Sequence, residues 1–283
     1  MIRNKMLYFI YAAVFLSILL VGSVFCFDPQ LDTPPPMRNK VEAQLKNIRL
    51  QNLMETISYL SNLHDRITNK NVWDAAHFIE NRFGQYGLTT VVQTYEYKNE
   101  LWPNVIAEIN GTPANNQYIL ILAHIDSITR SAGTPAPGAD DDASGIAVLL
   151  ETARMLKTAE VRNNICFIAF SNEETGRQGS NYYVKQLPPD MNIIGVIDLD
   201  VLGYNKPDKL FYADALTCQS DMKYKLKAAY LMIKNDLLGW WYGRDVVKIA
   251  GKPANKDLVI KIDSPLRSYA DITTKTIIGE HCG

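Results

Sequence analysis

One stretch of seven residues, "NICFIAF" (164–170), restricts the fold more than any other part of the sequence. Every residue after the first is apolar, which predicts a strand buried inside a sheet, and Cys166 within it is predicted to be a buried free thiol. Two adjacent acids, Glu173 and Glu174, follow almost at once. Because like charges in contact repel unless a cation lies between them, this exit is either a solvated loop or part of a cation site.

Strand-like and helix-like segments alternate along the chain around this run. Strands are predicted for "TTVVQTYEY", "PNVIAEI", "QYILILAHID", "NIIGVIDLD" and, near the C-terminus, "KTIIGE". Apolar residues at helical spacing predict helices over 41–63, 71–87 and 144–157, the second ending at Gly87, and a short helix is expected from Ser180. The alternation predicts an α/β fold with a mixed, mostly parallel central sheet flanked by helices on both faces.

Composition excludes one broad class of function. The chain has 283 residues, of which 47% are hydrophobic, enough for a sizeable core. Its 29 Lys and Arg residues nearly balance 30 Asp and Glu residues, giving a net charge of −1 without long runs of either sign. Since nucleic-acid binding needs a basic face, nucleic acid is not expected as a partner.

The N-terminal segment is predicted to be a targeting element. Two basic residues precede residues 6–27, which contain no charge and are long enough to span a bilayer. Residues 1–27 are therefore predicted to be a signal peptide or signal anchor, followed by a Pro-rich linker over 28–40 and a single domain over 41–283. The domain is expected to be exported: periplasmic, secreted, or anchored to the membrane by residues 6–27.

Polar residues cluster where the predicted strands end, together with three consecutive aspartates just before a helix. They are His124, Asp126, Asp140, Asp141, Asp142, Glu173, Glu174, Asp198 and Asp200. In open α/β sheets, ligands bind at the carboxyl ends of the strands. One imidazole and several carboxylates meeting there would repel one another without a cation, and this donor set suits zinc, manganese or cobalt.

Each of these elements also has a purely structural interpretation. A histidine at a strand end is often structural, and acids before a helix commonly cap it and interact with its dipole. Adjacent glutamates are usually solvated. The joint arrangement favours a metal site, because unrelated loops seldom place all of these residues after consecutive apolar strands.

At this point the sequence resembles the exported co-catalytic di-zinc aminopeptidases, relatives of bacterial leucyl aminopeptidase and glutamate carboxypeptidase. The similar stretches, in family order, are "AHIDS", "PGADDDASGIA", "FSNEETGRQGS" and "DLDVLGY". Weaker similarity extends upstream through "DRITNKNVWDAAHFIENRF", so residues 60 to 204 are covered. The resemblance implies a zinc-peptidase-like three-layer sandwich, peptide substrates and two zinc sites.

The resemblance also implies a role for each site residue. His124 and Asp200 bind one metal, Glu174 binds the other, and Asp141 bridges the two. Asp126 orients His124, and the peptide bond after Asp141 is expected to be cis.

The two adjacent acids are thereby given different roles. Glu174 binds metal, whereas Glu173 stays unligated and acts as general base on a metal-activated water. The implied activity is removal of N-terminal residues from peptides. A glutaminyl cyclase, a carboxypeptidase of the same superfamily, and a catalytically impaired binding ectodomain remain open as alternatives.

The final histidine of the family pattern has no clear counterpart. Only His281, in "GEHCG", is left to bind the second metal, and it follows the predicted strand "KTIIGE" too closely to be the expected ligand. "SYADITT" stands where the family has a serine-aspartate-histidine stretch. The domain is therefore expected to be truncated at its C-terminus, and its second zinc site to be weak.

Overall fold

The computed structural model describes residues 44–129, 133–203, 246–251, 257 and 273–278. All of them lie in one compact unit, Pro36–Gly283. The predicted targeting segment and His281 fall outside the described residues. Within the described part of the chain, no helix has the length and apolarity needed to cross a bilayer.

The described elements follow the predicted order, except that the strand Val246–Gly251 was not predicted and the first helix begins at Leu50 rather than at residue 41. The helices are α1 (Leu50–Ser61), α2 (Asn69–Gln85), α3 (Ala143–Leu156) and α4 (Gln178–Lys185). The strands are β1 (Thr90–Tyr97), β2 (Glu100–Ile109), β3 (Gln117–His124), β4 (Asn164–Phe170), β5 (Asn192–Asp198), β6 (Val246–Gly251) and β7 (Thr273–Ile278). The apolar run "NICFIAF" coincides with β4, as predicted.

The central sheet has the strand order β1-β2-β4-β3-β5, while β6 and β7 form a separate parallel pair. Strands β3, β4 and β5 are mutually parallel, whereas β1 and β2 form an antiparallel hairpin and β2 is antiparallel to β4. The hairpin turn is Lys98-Asn99, with φ of 53° and 62°, the left-handed conformation that two-residue hairpin loops require. Periodicity alone did not reveal this reversal.

Helices cover both faces of the sheet. The larger core joins α1, α2 and α3 to one face and includes Phe83, Ile146 and Phe167. A smaller core on the opposite face packs Tyr183 of α4 against Ile168 and Phe170. Alternate residues of β4 therefore enter different cores, which explains why the whole strand is apolar. The predicted α/β class with helices on both faces is confirmed.

Two helix ends have the predicted capping chemistry. Gly87 follows α2 with φ of 73°, and the Leu88 N–H donates to the Phe83 carbonyl at 3.0 Å, closing the helix as a glycine C-cap does. At the start of α3, the Asp142 side chain accepts a hydrogen bond from the Gly145 N–H at 2.9 Å. This second cap fixes the three aspartates against the edge of the sheet.

Candidate metal centre

The parallel strands β3, β4 and β5 bring the predicted residues to one edge of the sheet. His124 is paired with Phe170, and Leu122 with Asp198. The segments that continue beyond these pairs carry Asp126, the two glutamates and Asp200, so residues far apart in sequence meet at the carboxyl ends of the strands.

His124 is the buried centre of this arrangement, with 6% of its surface exposed. Its Nδ1 atom lies 3.1 Å from the Asp126 carbonyl oxygen, which directs Nε2 to the opposite side. Nε2 lies 3.0 Å from Asp141 Oδ1 and 3.9 Å from Asp200 Oδ1. Nε2 is therefore the nitrogen placed to bind a metal together with these two carboxylates.

Two overlapping groups among the described residues have the spacing of metal ligands. One is His124, Asp141 and Asp200; the other is His124, Glu173 and Glu174, and in each the ligand atoms lie within 4.8 Å of one another. The first group is the set that the family resemblance implies for the metal of His124. The second places both glutamates, not only Glu174, beside the same imidazole.

Asp126 contributes more than the orientation of His124. Its carboxylate lies 3.6 Å from His124 Nδ1, farther than its own carbonyl oxygen. The two carboxylate oxygens instead accept the Glu173 N–H at 2.9 Å and the Glu174 N–H at 3.0 Å. One buried side chain thereby fixes both adjacent acids through their backbone.

The three consecutive aspartates have three different environments. Asp142 is fully buried and accepts the His124 N–H at 3.1 Å as well as capping α3. Asp140 accepts the Gly203 N–H at 2.6 Å. Asp141 lies beside His124 with 51% of its side chain exposed, and the predicted cis peptide bond between Asp141 and Asp142 is present. The capping interpretation is thus correct for Asp142, while Asp141 lies where a ligand is needed.

The pKa values of these groups reflect a shortage of positive charge. Burial alone lowers the pKa of His124, but hydrogen bonds with Asp126 and Asp141 outweigh it and raise that pKa to about 11. Burial raises the pKa of Asp142 to about 8. Burial, and then the charge of Asp141, raises the pKa of Glu174 to about 7. A bound cation would relieve this repulsion by letting the carboxylates ionise together.

Two polar residues that the motifs did not indicate support the glutamate segment. Asn104 Oδ1 accepts the Ser171 N–H at 3.2 Å, and its Nδ2 donates to the Gly179 carbonyl at 3.0 Å. The Tyr95 hydroxyl accepts from Asn172 Nδ2 at 2.9 Å and lies 3.0 Å from Ser171 Oγ. In the sequence, Tyr95 and Asn104 are visible only as polar residues within predicted strands. That signal does not reveal which groups they bind.

Comparison with known proteins agrees with this geometry. Residues 104–239 match the model of peptidase family M28. This similarity covers just under half of the chain. It confirms the predicted family resemblance for the matched segment.

Curated relatives of the M28 segment carry matching names. A probable zinc metalloprotease of Pyrenophora teres is 26% identical over 200 residues, which cover 62% of this chain and 41% of that protein. Leupeptin-inactivating enzyme 1 of Streptomyces exfoliatus is 30% identical over 150 residues, covering 52% of this chain and 33% of that protein. The chain thus spans well under half the length of these relatives.

Solved structures share the fold. The LapA aminopeptidase of Legionella pneumophila aligns with a TM-score of 0.65 at 20% identity, covering 92% of this chain and 63% of that one. A glutaminyl cyclase of Bacteroides thetaiotaomicron aligns with a TM-score of 0.52 at 15% identity, covering 82% and 78% of the two chains. Both similarities establish the fold alone.

The described residues fit the zinc that the M28 family implies. Histidine nitrogen and carboxylate oxygens are zinc ligands, and three protein ligands with an open position are typical of a catalytic site. His124 is 7% exposed at its side chain, whereas Asp141 and Asp200 are 51% and 57% exposed. The group is therefore anchored on its protein side and accessible from solvent.

Proposed function

We propose that this chain is a zinc-dependent aminopeptidase that hydrolyses N-terminal residues from peptides. The observation that carries the proposal is the pair of hydrogen bonds that the Glu173 and Glu174 N–H groups donate to the Asp126 carboxylate, at 2.9 and 3.0 Å. It fixes two adjacent carboxylates beside His124, so that one can hold the metal while the other handles a proton.

In this proposal the ligand side chains divide between two roles. His124, Asp141 and Asp200 hold zinc through Nε2 and two carboxylates, as their spacing within 4.8 Å supports. Glu174 would be a further ligand, and Asp141 would help to hold both metals. When bound, zinc would supply Lewis acidity at a peptide carbonyl and lower the pKa of a water molecule.

Glu173 is the proposed general base. It accepts the proton of the attacking water and returns it to the departing amine. Its side chain is 35% exposed, and one of its oxygens lies 3.3 Å from Arg177 Nε, on the open side of the site. A carboxylate held at its backbone but partly open at its tip has access to both water and substrate.

The number of zinc ions stays a prediction, because His281 lies outside the described residues. We expect nearer one than two zinc ions per chain after dialysis, and little change in stoichiometry on His281→Ala. Two tightly held ions that fall to one in this variant would identify His281 as a ligand of the second site.

Export is a further part of the proposal. It is supported by the charge-free residues 6–27 and by Arg3 and Lys5 before them. N-terminal sequencing of the mature protein and protease accessibility in intact cells would test it. Protein retained in the cytoplasm would contradict it.

The activity is tested by assaying the purified full chain on amino-acid arylamides, before and after zinc chelation. We expect turnover to disappear with the chelator, to return on zinc addition, and to require a free rather than an acetylated N-terminus. Cyclisation of an N-terminal glutamine would favour the glutaminyl cyclase alternative, and release of C-terminal residues the carboxypeptidase alternative. If none of these substrates is turned over in a zinc-dependent way, the result would favour the remaining alternative, a catalytically impaired binding ectodomain.

A further inference from the structure

Arg66, in the connection between α1 and α2, is the largest side chain that the described part of the chain buries completely. A buried guanidinium is costly unless its donors are satisfied. Four hydrogen bonds engage all three of its nitrogens, and every acceptor is a backbone carbonyl. Arg66 therefore holds main chain in place rather than pairing with one acid.

Three of the four acceptors of Arg66 lie in two segments that carry metal-binding candidates: the segment that follows β3 and the segment that leads to the aspartates. Nε donates to the Ile125 carbonyl at 2.6 Å, between His124 and Asp126. Nη1 and Nη2 donate to the Pro137 and Gly138 carbonyls at 2.6 and 2.9 Å, shortly before Asp141. One planar group thus connects both segments, and the remaining bond, to Leu60 at 3.2 Å, connects them to α1.

Backbone contacts at Arg66 reinforce the same connection. The Arg66 N–H donates to Ser127 Oγ at 3.0 Å, and that hydroxyl donates to the Ala136 carbonyl at 2.8 Å. Ser127 therefore links the arginine backbone to the segment that leads to the aspartates.

Gly138 shows how closely this segment lies against the guanidinium. Its φ is +52°, which favours glycine. A Cβ atom there would lie 2.6 Å from Arg66 Nη2 and 2.5 Å from the Asp141 carbonyl oxygen, both closer than real contacts allow. The backbone reaches the arginine only because this residue has no side chain.

Electrostatics at Arg66 complement the site acids. Burial lowers the pKa of Arg66 to about 10, although Asp142, Asp126 and Asp141 each act to raise it. The group therefore remains charged at neutral pH and acts on the same carboxylates that surround His124.

We propose that Arg66 is a positioning residue for the zinc site, holding the His124 and Asp141 segments at the separation that binding requires. This inference rests on the proposed function, because it assumes that those segments bind zinc. Outer contacts of this kind typically change metal affinity by about 10- to 100-fold.

The test compares Arg66→Lys, Arg66→Met and Ser127→Ala in the full chain. Glu151→Gln is the control: Glu151 is also buried, but its carboxylate accepts from Arg49, Asn52 and Arg154, along α3 and towards α1. It lies nine residues after Asp142, roughly 13 Å along the helix. Zinc affinity is measured by competition with a chromophoric chelator, site geometry by the absorption of bound cobalt, and stability by urea unfolding of the metal-free protein.

We expect Arg66→Met to weaken zinc binding about 10- to 100-fold and to alter the cobalt spectrum. Arg66→Lys keeps the charge but loses the planar guanidinium, so its zinc affinity should fall less than that of Arg66→Met. Ser127→Ala should show the smallest loss of zinc affinity of the three variants. Glu151→Gln should lose stability yet bind zinc within about twofold of wild type. If Arg66→Met does not fold, Arg66→Lys and Ser127→Ala decide the question.

Zinc affinity and cobalt spectra unchanged in the folded variants, beside a wild-type chain that binds zinc and cleaves peptides, would overturn the inference and leave the proposed function intact. A wild-type chain that neither binds zinc nor cleaves peptides would overturn the proposed function and this inference with it.

Discussion

Two loops supply acids to the candidate metal centre, and groups of opposite charge hold them. The aspartate loop, residues 137–142, is held by the Arg66 cation, which donates to the carbonyls of Pro137 and Gly138. The glutamate loop, residues 171–177, is held by the Asp126 anion, which accepts the N–H groups of Glu173 and Glu174. In both loops this contact is to backbone, and in the aspartate loop the Asp142 side chain adds further support by capping α3.

The difference has an electrostatic consequence. Arg66 places positive charge behind the aspartate loop, where three acids are adjacent. Asp126 adds a negative charge near the glutamate loop and contributes, after burial, Asp141 and Glu173, to the raised pKa of Glu174. Burial raises the pKa of Asp142 in the aspartate loop to about 8, but Asp142 caps α3, whereas Glu174 is a proposed ligand. We therefore expect the Glu174 proton to compete directly with bound metal.

The largest expected effect separates the two loops by role. Glu173→Gln should lower kcat by about 10²- to 10⁴-fold, because the base is lost while the shape is kept, with zinc content unchanged. Asp141→Asn, in the aspartate loop, should instead reduce zinc content. Arylamide kinetics and metal analysis measure both. Near-normal turnover in Glu173→Gln would show that the two glutamates do not divide their work as proposed.

The next effect concerns pH. Hydrogen bonds to Asp126 and Asp141 overcome burial and raise the pKa of His124 to about 11, so zinc must displace its proton at any lower pH. Apparent zinc affinity should therefore rise about tenfold per pH unit. Because the pKa of Glu174 is about 7, a second proton competes below that pH and the dependence should steepen there. Chelator competition between pH 5.5 and 8 measures both slopes.

Glu174→Gln is the control for this profile. In this variant the extra pH dependence of zinc affinity below pH 7 should disappear, because the Glu174 proton that competes with zinc is gone. The roughly tenfold change in affinity per pH unit that comes from His124 should remain. An unchanged profile would mean that Glu174 does not take part in zinc binding.

A smaller effect is expected when the Asp126 contact is altered. Asp126→Asn replaces one carboxylate oxygen with an amide that cannot accept from the Glu173 or Glu174 N–H. Leaving such a donor unsatisfied should lower the free energy of unfolding of the metal-free protein by about 1–3 kcal/mol. Urea unfolding measures it, with Asp74→Asn, at an exposed ion pair with Lys70, as the matched control. Equal stabilities in the two variants would show that Asp126 does not hold the loop.

The smallest effect is expected on the open side of the glutamate loop. Arg177 and Glu173 form an exposed ion pair at 3.3 Å, with 63% and 35% of their side chains accessible. Because φ of Arg177 is 58°, Arg177→Asn is chosen to preserve the left-handed backbone. It should change the free energy of unfolding by less than about 1 kcal/mol. A larger loss of unfolding free energy would show that the glutamate loop is stabilised mainly by this exposed ion pair rather than by Asp126.

The sequence by itself determined the elements and the chemistry. An apolar run such as "NICFIAF" admits little besides a strand covered on both faces, and β4 has that environment. Polar residues at the ends of parallel strands meet at one edge, so a cluster of His124 with several acids was predictable from residue type and short-range periodicity, which a sequence displays directly. The choice of Asp141 and Asp200 as the partners of His124 came from the family resemblance, and the structure brings the three together.

Only the tertiary structure decided how the loops are held. Arg66 contacts carbonyls 59 to 72 residues later in the chain, and Asp126 contacts amides 47 and 48 residues away. The antiparallel placement of β2 beside β4 is likewise a pairing between distant segments. The acceptors of Arg66 and the donors to Asp126 are backbone groups, which every residue except proline possesses in full, so no pattern of side chains marks them. Which carbonyl or amide faces a buried charge follows only from the folded path of the chain.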